Sequence, residues 1–228
     1  MVRSRRYIQR YPDTQPELHK DIKMKRLSAI SLLLSVVAFT VFGCASQPQG
    51  PGWVTLIDGD KGLENWDRIG DANWRAEAGA IVADKGTSGF LVSKNSYKDF
   101  VIYAEFWAAT DTNSGIFIRA ANPQKIGSDT SYEVNIWDLR PDPKYGTGAI
   151  VDVAAVPVPI AYKAGGQWNT YEITAKGSAL SVKLNGVVTS SAQNSKLSSG
   201  PFALQFATGV KGAPGGPIKW RKVQIKPL

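Results

Sequence analysis

The sequence predicts an all-β domain, an antiparallel β-sandwich or jelly roll, and three observations carry that expectation. Runs of β-branched and aromatic residues recur at short, regular intervals in the later half of the chain. The stretches between them hold turn formers: Asn113-Ser114-Gly115, Lys176-Gly177 and Asn185-Gly186. No apolar repeat of 3.6 residues follows Cys44.

The predicted strands are, in order, 99–107, 114–119, 131–138, 148–153, 168–175 and 179–184. Asn185-Gly186 then joins the last of these to 187–190 as a hairpin, because both central positions of a type I′ turn require positive φ. Side chains alternate along a strand, so each run has two faces. Ile102, Ala104 and Phe106 oppose Tyr103, Glu105 and Trp107. Ile116 and Ile118 oppose Phe117 and Arg119. Tyr132, Val134 and Ile136 oppose Glu133, Asn135 and Trp137. One face of each run is suited to a core. The other mixes aromatic rings with an acid, an amide or a guanidinium. Such a surface either stacks and hydrogen-bonds sugar rings or is an ordinary solvated face carrying a cross-strand Arg119–Glu133 pair. Trp53, Trp66, Trp74, Trp168 and Trp220 are assigned to core or rim packing, and Lys219, Arg221, Lys222 and Lys226 to a solvated edge strand.

The N-terminal part reads differently. Lys25 and Arg26 precede an apolar run from Leu27 to Phe42, and Gly43 then precedes Cys44, the chain's one cysteine. A basic start, a short apolar core and small residues before a cut describe a secretory signal, here with a lipidated cysteine as the new N-terminus. The alternative is a membrane span, for which the run is short. Residues 1–43 are therefore read as a signal peptide whose start is Met24, and residues 44–52 as a lipidated cysteine with a linker. Residues 53–228 are the folded domain. The expected location is the bacterial cell envelope, with the membrane as partner through the lipid. Ala45 after the cysteine favours the outer membrane over the inner.

Charge follows the same division. The chain carries +8, but residues 1–43 hold eight Lys/Arg and three Asp/Glu, which leaves +3 for the rest. The basic residues of the domain are scattered, unlike a nucleic-acid footprint. No glycine-rich loop precedes a helix, so no nucleotide is expected. One cysteine excludes an intrachain disulfide. His19 is the sole histidine and precedes the domain, so neither His-dependent proton transfer nor a Ser-His-Asp arrangement is available to it.

Several segments together resemble the DUF1080, or 3-keto-disaccharide hydrolase, family. They are Gly52-Trp53-Val54-Thr55-Leu56-Ile57-Asp58-Gly59 with Leu63-Glu64-Asn65-Trp66, Asn113 through Arg119, Tyr132 through Asp138, Thr147-Gly148-Ala149-Ile150, and the closing Pro217 through Lys226. The resemblance spans the domain in order and spacing. Asn135 stands where the family has glutamine, and Leu204-Gln205 lacks the histidine that often follows. The resemblance implies a concanavalin/laminin-G-like sandwich and a keto-sugar or other carbohydrate substrate. In a 3-keto-glycoside the ketone acidifies the C2 proton, and the glycosidic oxygen lies β to the carbanion. Elimination followed by hydration then cleaves the bond without an oxocarbenium ion.

Such chemistry needs a base and an enolate stabiliser. Glu133 is the expected base and Arg119 the expected stabiliser. Glu105, Asn135, Trp137, Asp138, Trp107 and Gln205 are the expected substrate contacts. Asp138, Glu105 and Asn135 are also candidate oxygen ligands for a divalent cation. Glu105 and Glu133 would serve a two-carboxylate glycosidase instead. A carbohydrate-binding module without catalysis, or a scaffolding lipoprotein, are the other readings of the same scaffold.

Overall fold

Alternating strands frame the part of the chain that the computed structural model describes, residue 48 and residues 50–228. The expected signal peptide, the start at Met24 and the lipidated Cys44 lie outside the described residues. The strands are β1 (Val54–Asp58), β2 (Trp66–Gly70), β3 (Arg75–Glu77), β4 (Ala80–Ala83), β5 (Ser88–Ser93), β6 (Phe100–Ala108), β7 (Ser114–Ile118), β8 (Tyr132–Ile136), β9 (Gln167–Lys176), β10 (Ala179–Leu184), β11 (Val187–Gln193), β12 (Ala203–Ala207) and β13 (Ile218–Pro227).

They form two antiparallel sheets. The larger runs β11-β10-β9-β6-β13-β4-β3, with β1 also paired to β13; the smaller runs β2-β5-β12-β7-β8. The inward side chains make one core. Ile116, Ile118, Val134, Leu204 and Phe206 of the smaller sheet pack with Ile102, Phe106, Tyr171, Trp220 and Val223 of the larger. Each such side chain contributes about 1.5–3 kcal/mol by leaving water. The all-β sandwich expected from the sequence is the fold observed, and Asn185 and Gly186 both have positive φ in the β10–β11 turn.

Two expectations are corrected. Residues 148–153 are not a regular strand, because Gly148 and Asp152 adopt positive φ and break the run. The segment still covers the edge of β8. Asn135 N–H donates to Ala149 O (3.0 Å), Gly148 N–H to Asn135 O (3.0 Å) and Val151 N–H to Glu133 O (2.9 Å). The closing basic strand is not an edge: β13 is bonded to β6 on one side and to β4 and β1 on the other. Its apolar residues Ile218, Trp220, Val223 and Ile225 enter the core. Its lysines and Arg221 emerge on the outer face.

Arg119 does not share the face of Glu133. Its φ of +53° ends the alternation of β7, and its buried guanidinium turns towards the larger sheet. Nε donates to Lys98 O (2.9 Å), Nη1 to Gly177 O (2.8 Å) and Leu197 O (3.1 Å), and Nη2 meets Asp99 Oδ1 at 3.2 Å. This one fork ties the end of β7 to the segment before β6, the β9–β10 turn and the segment before β12. Arg119→Lys keeps the charge but not the fork. It is expected to lower the unfolding free energy by about 2–3 kcal/mol through stranded carbonyls, read from urea denaturation; a loss below about 0.5 kcal/mol would contradict the assignment.

Candidate active site

Register fixes what the outer face of the smaller sheet presents. Asp67, Val92, Ala203, Phe117 and Glu133 lie in one row across its five strands, and Ile69, Phe90, Gln205, Gly115 and Asn135 in the next. Phe90 and Phe117 meet edge to face at 5.4 Å. With Val92 and Ala203 they make a small apolar cluster separate from the main core. Gly115 sits between Gln205 and Asn135. A Cβ there would come within 2.9 Å of Val134 O and 3.7 Å of Glu133 Cγ. Glycine therefore lets β7 lie close against β8 beside Glu133.

Glu133 is buried, with 8% of its surface exposed. Burial pushes its carboxyl up to about 7; the Arg140 charge opposes that shift and the Asp152 charge adds to it. Two amide oxygens on the same face, Asn135 Oδ1 and Gln205 Oε1, are buried without a hydrogen-bond partner. The other end of the Asn135 amide is held, its Nδ2 donating to Tyr145 O at 2.6 Å. An orphaned buried acceptor costs about 1–3 kcal/mol, which a donor such as a ligand hydroxyl would recover. Trp137 follows on the same face, partly exposed, with the Arg140 guanidinium 5.6 Å from its ring centroid.

The structure thus brings together Glu133, Asn135, Gln205 and Trp137, and separates the rest. Glu105 and Trp107 lie on the outer face of the larger sheet, with the core between them and Glu133. Glu105 takes the Tyr103 hydroxyl at 2.8 Å and Arg221 Nε at 2.5 Å. A Glu105–Glu133 pair is therefore corrected: two packed sheets stand ~10 Å apart even before their outward side chains are counted. Asp138 is committed elsewhere. Its carboxylate accepts from the Thr147 hydroxyl (2.6 Å), from Ala164 N–H (3.0 Å) and from Gly165 N–H (2.9 Å). The expected oxygen set of Asp138, Glu105 and Asn135 does not converge, so it does not fit a divalent cation.

Trp66, Trp74 and Trp220 are core residues as expected, whereas Trp168 is exposed on the outer face of the larger sheet. Sequence reasoning missed Arg140 and Asp152, the two charges that bear on Glu133. Arg140 stands three residues beyond Trp137, but its return to that ring depends on a loop with no repeating pattern.

A cleft of about 340 Å³ does not contain Glu133. It opens on the same outer face, lined by Asp67 and Val92, and Val92 lies three strand spacings, ~14 Å, from Glu133. Ile126, from the loop after β7, packs on the Phe90–Phe117 cluster between the two.

Residues 52–226 match the family described as the 3-keto-alpha-glucoside-1,2-lyase-like domain. The chain belongs to this family. Comparison with curated proteins gave no match. Among solved structures the lyase-like domain is similar to a candidate glycosyl hydrolase of Parabacteroides distasonis ATCC 8503, at 23% identity over 77% of this chain and 99% of that one, with a TM-score of 0.60. A second candidate glycosyl hydrolase from the same organism is 18% identical over 78% and 89%, with a TM-score of 0.56. The carbohydrate-binding module CBM66 of Bacillus subtilis is 16% identical over 77% and 95%, with a TM-score of 0.50. At these identities the likeness is one of fold.

The raised Glu133 carboxyl predicts a signed pH dependence. Its folded value lies above the unfolded one, so its contribution is complete below about pH 4.5 and is lost as pH rises through about 7. Glu133→Gln should therefore gain stability over the wild type between pH 5 and pH 8, by on the order of 2–3 kcal/mol. Arg140→Gln should move the midpoint of that change to higher pH. Denaturation curves across this range check both, and parallel pH profiles for wild type and Glu133→Gln would refute the burial argument.

Proposed function

We propose that this domain cleaves 3-keto-glycosides by elimination, with Glu133 as the general base. The observation that carries the reading is a desolvated carboxyl near 7 on the same face as two orphaned amide oxygens, which flank Gly115. A base in that range is ionised often enough at neutral pH to act, yet basic enough to take a proton from carbon α to a ketone. Asn135 Oδ1 and Gln205 Oε1 suit sugar hydroxyls as donors. Trp137, partly exposed, suits the C–H face of the ring.

The step balances without a cofactor. Glu133 takes the C2 proton, and the C–H electrons move into an enolate with the C3 oxygen. The enolate collapses to a C1–C2 double bond, the C1–O bond breaks, and the leaving oxygen takes a proton. Addition of water across the new double bond completes a hydrolysis; release before that addition is a lyase reaction. Arg140, whose charge is felt at Glu133, takes the electrostatic role first expected of Arg119.

Membership of a lyase-like family supports the chemistry, and the basic-apolar-cysteine leader supports tethering through Cys44 to the envelope, with the outer membrane favoured by Ala45.

Glu133→Gln keeps the shape and removes the base. Turnover of a 3-keto-glycoside should fall by ~100-fold or more, while the unoxidised glycoside should be inert with either protein. Cleavage of both sugars at similar rates contradicts the elimination route. Sugar binding without turnover, unchanged in Glu133→Gln, would make the domain a binding module. Absence of an acyl chain on Cys44 by mass spectrometry would remove the tether and leave the chemistry untouched.

A further inference from the structure

The outer face of the larger sheet carries an arrangement that the elimination site does not use. Register aligns Trp168, Trp107, Lys219, Val82 and Arg75 in one row across β9, β6, β13, β4 and β3. The row spans four strand spacings, ~19 Å. Trp168 is 38% exposed although its strand lies inside the sheet.

Both rings are met by cations. Lys219 Nζ lies 4.8 Å from the Trp107 ring centroid, and Arg221 Cζ lies 4.2 Å from that of Trp168. Arg221 reaches a ring two strands away because β13 is irregular there. Trp220 pairs with Phe106 and Lys222 with Glu105, so Arg221 is the extra residue of a bulge. Buried Glu105 then fixes it, accepting from Arg221 Nε at 2.5 Å. The guanidinium is preorganised, with its side chain still 45% exposed.

The charge of this face is one-sided. Over β10, β9, β6 and β13 it carries Lys176, Lys183, Lys219, Arg221, Lys222 and Lys226 against Glu105 and Glu172. Glu172 is taken by Lys183, and Asp58 of β1 by Lys222. Arg221 is balanced by Glu105, so Lys219 is the cation beside the two tryptophans that has no carboxylate partner among the described residues. Exposed Trp and Arg held rigidly at the centre of a face are what binding hot spots are made of. The cations select for negative charge, the rings supply stacking area next to it, and the length of the row suits a chain of several units.

We propose that this face binds an acidic polysaccharide, carboxylated or sulfated, along the Trp168–Trp107–Lys219 row. It faces away from Glu133, so one domain would hold a polymer on one side and process a small keto-sugar on the other.

Titration calorimetry of the purified full chain with oligogalacturonate, dextran sulfate and neutral dextran tests this. At low salt one or both acidic chains should bind and neutral dextran should not, and binding should weaken as salt rises. Which acidic chain binds tells carboxylate from sulfate. Trp168→Ala and Lys219→Gln should each weaken binding about tenfold or more. Melting temperature and turnover of a small 3-keto-glycoside should stay unchanged in both variants. Neutral dextran binding as tightly, no binding of either acidic chain, or affinity unmoved in both variants would overturn the proposal.

Discussion

A hydrogen bond that crosses the sandwich pins β8 to the larger sheet. Tyr171, on the larger sheet, donates its hydroxyl to the carbonyl of Asn135 at 2.6 Å. Burial pushes that hydroxyl far above the usual tyrosine range, so it remains a donor at any pH the fold survives. β8 is the last strand of the smaller sheet and would otherwise be held from one side. The Tyr171 bond and the 148–151 segment fix it from the core and from the open edge. Glu133 and Asn135 sit on that strand, and their precision is inherited from it.

The site is made by desolvation more than by charge pairing. Arg119, the guanidinium that sequence alternation put beside Glu133, instead joins the sheets. What bears on Glu133 is its burial, with Arg140 and Asp152 as opposing corrections. The neighbouring floor is apolar, and Ile126 covers part of it. A carboxyl in such a place is a poor anion and a better base. The same burial costs stability above neutral pH, which is how functional sites commonly differ from the rest of a fold.

Much of this was legible in the sequence because period-2 alternation is a local signal. The faces of β6, β7 and β8 follow it: Ile116, Val134 and Ile136 are in the core, and Phe117, Glu133 and Asn135 face outward. Alternation cannot say which outer face a residue shares, because that depends on strand order. Glu105 and Glu133 look alike in sequence and stand on opposite sides of the sandwich. It also fails where the backbone leaves the β region, as at Arg119 and Asp152, both of positive φ. β13 reads as a basic edge because its lysines are conspicuous, whereas the pairing that makes it central is long-range.

The most direct test of Glu133 as base is exchange at carbon. A 3-keto-glycoside incubated with the protein in deuterium oxide should acquire deuterium at C2, in recovered substrate or product, as read by NMR. Glu133→Gln should slow that exchange by ~100-fold or more. Cleavage by the wild type with no deuterium at C2, or exchange undiminished in Glu133→Gln, would contradict the account.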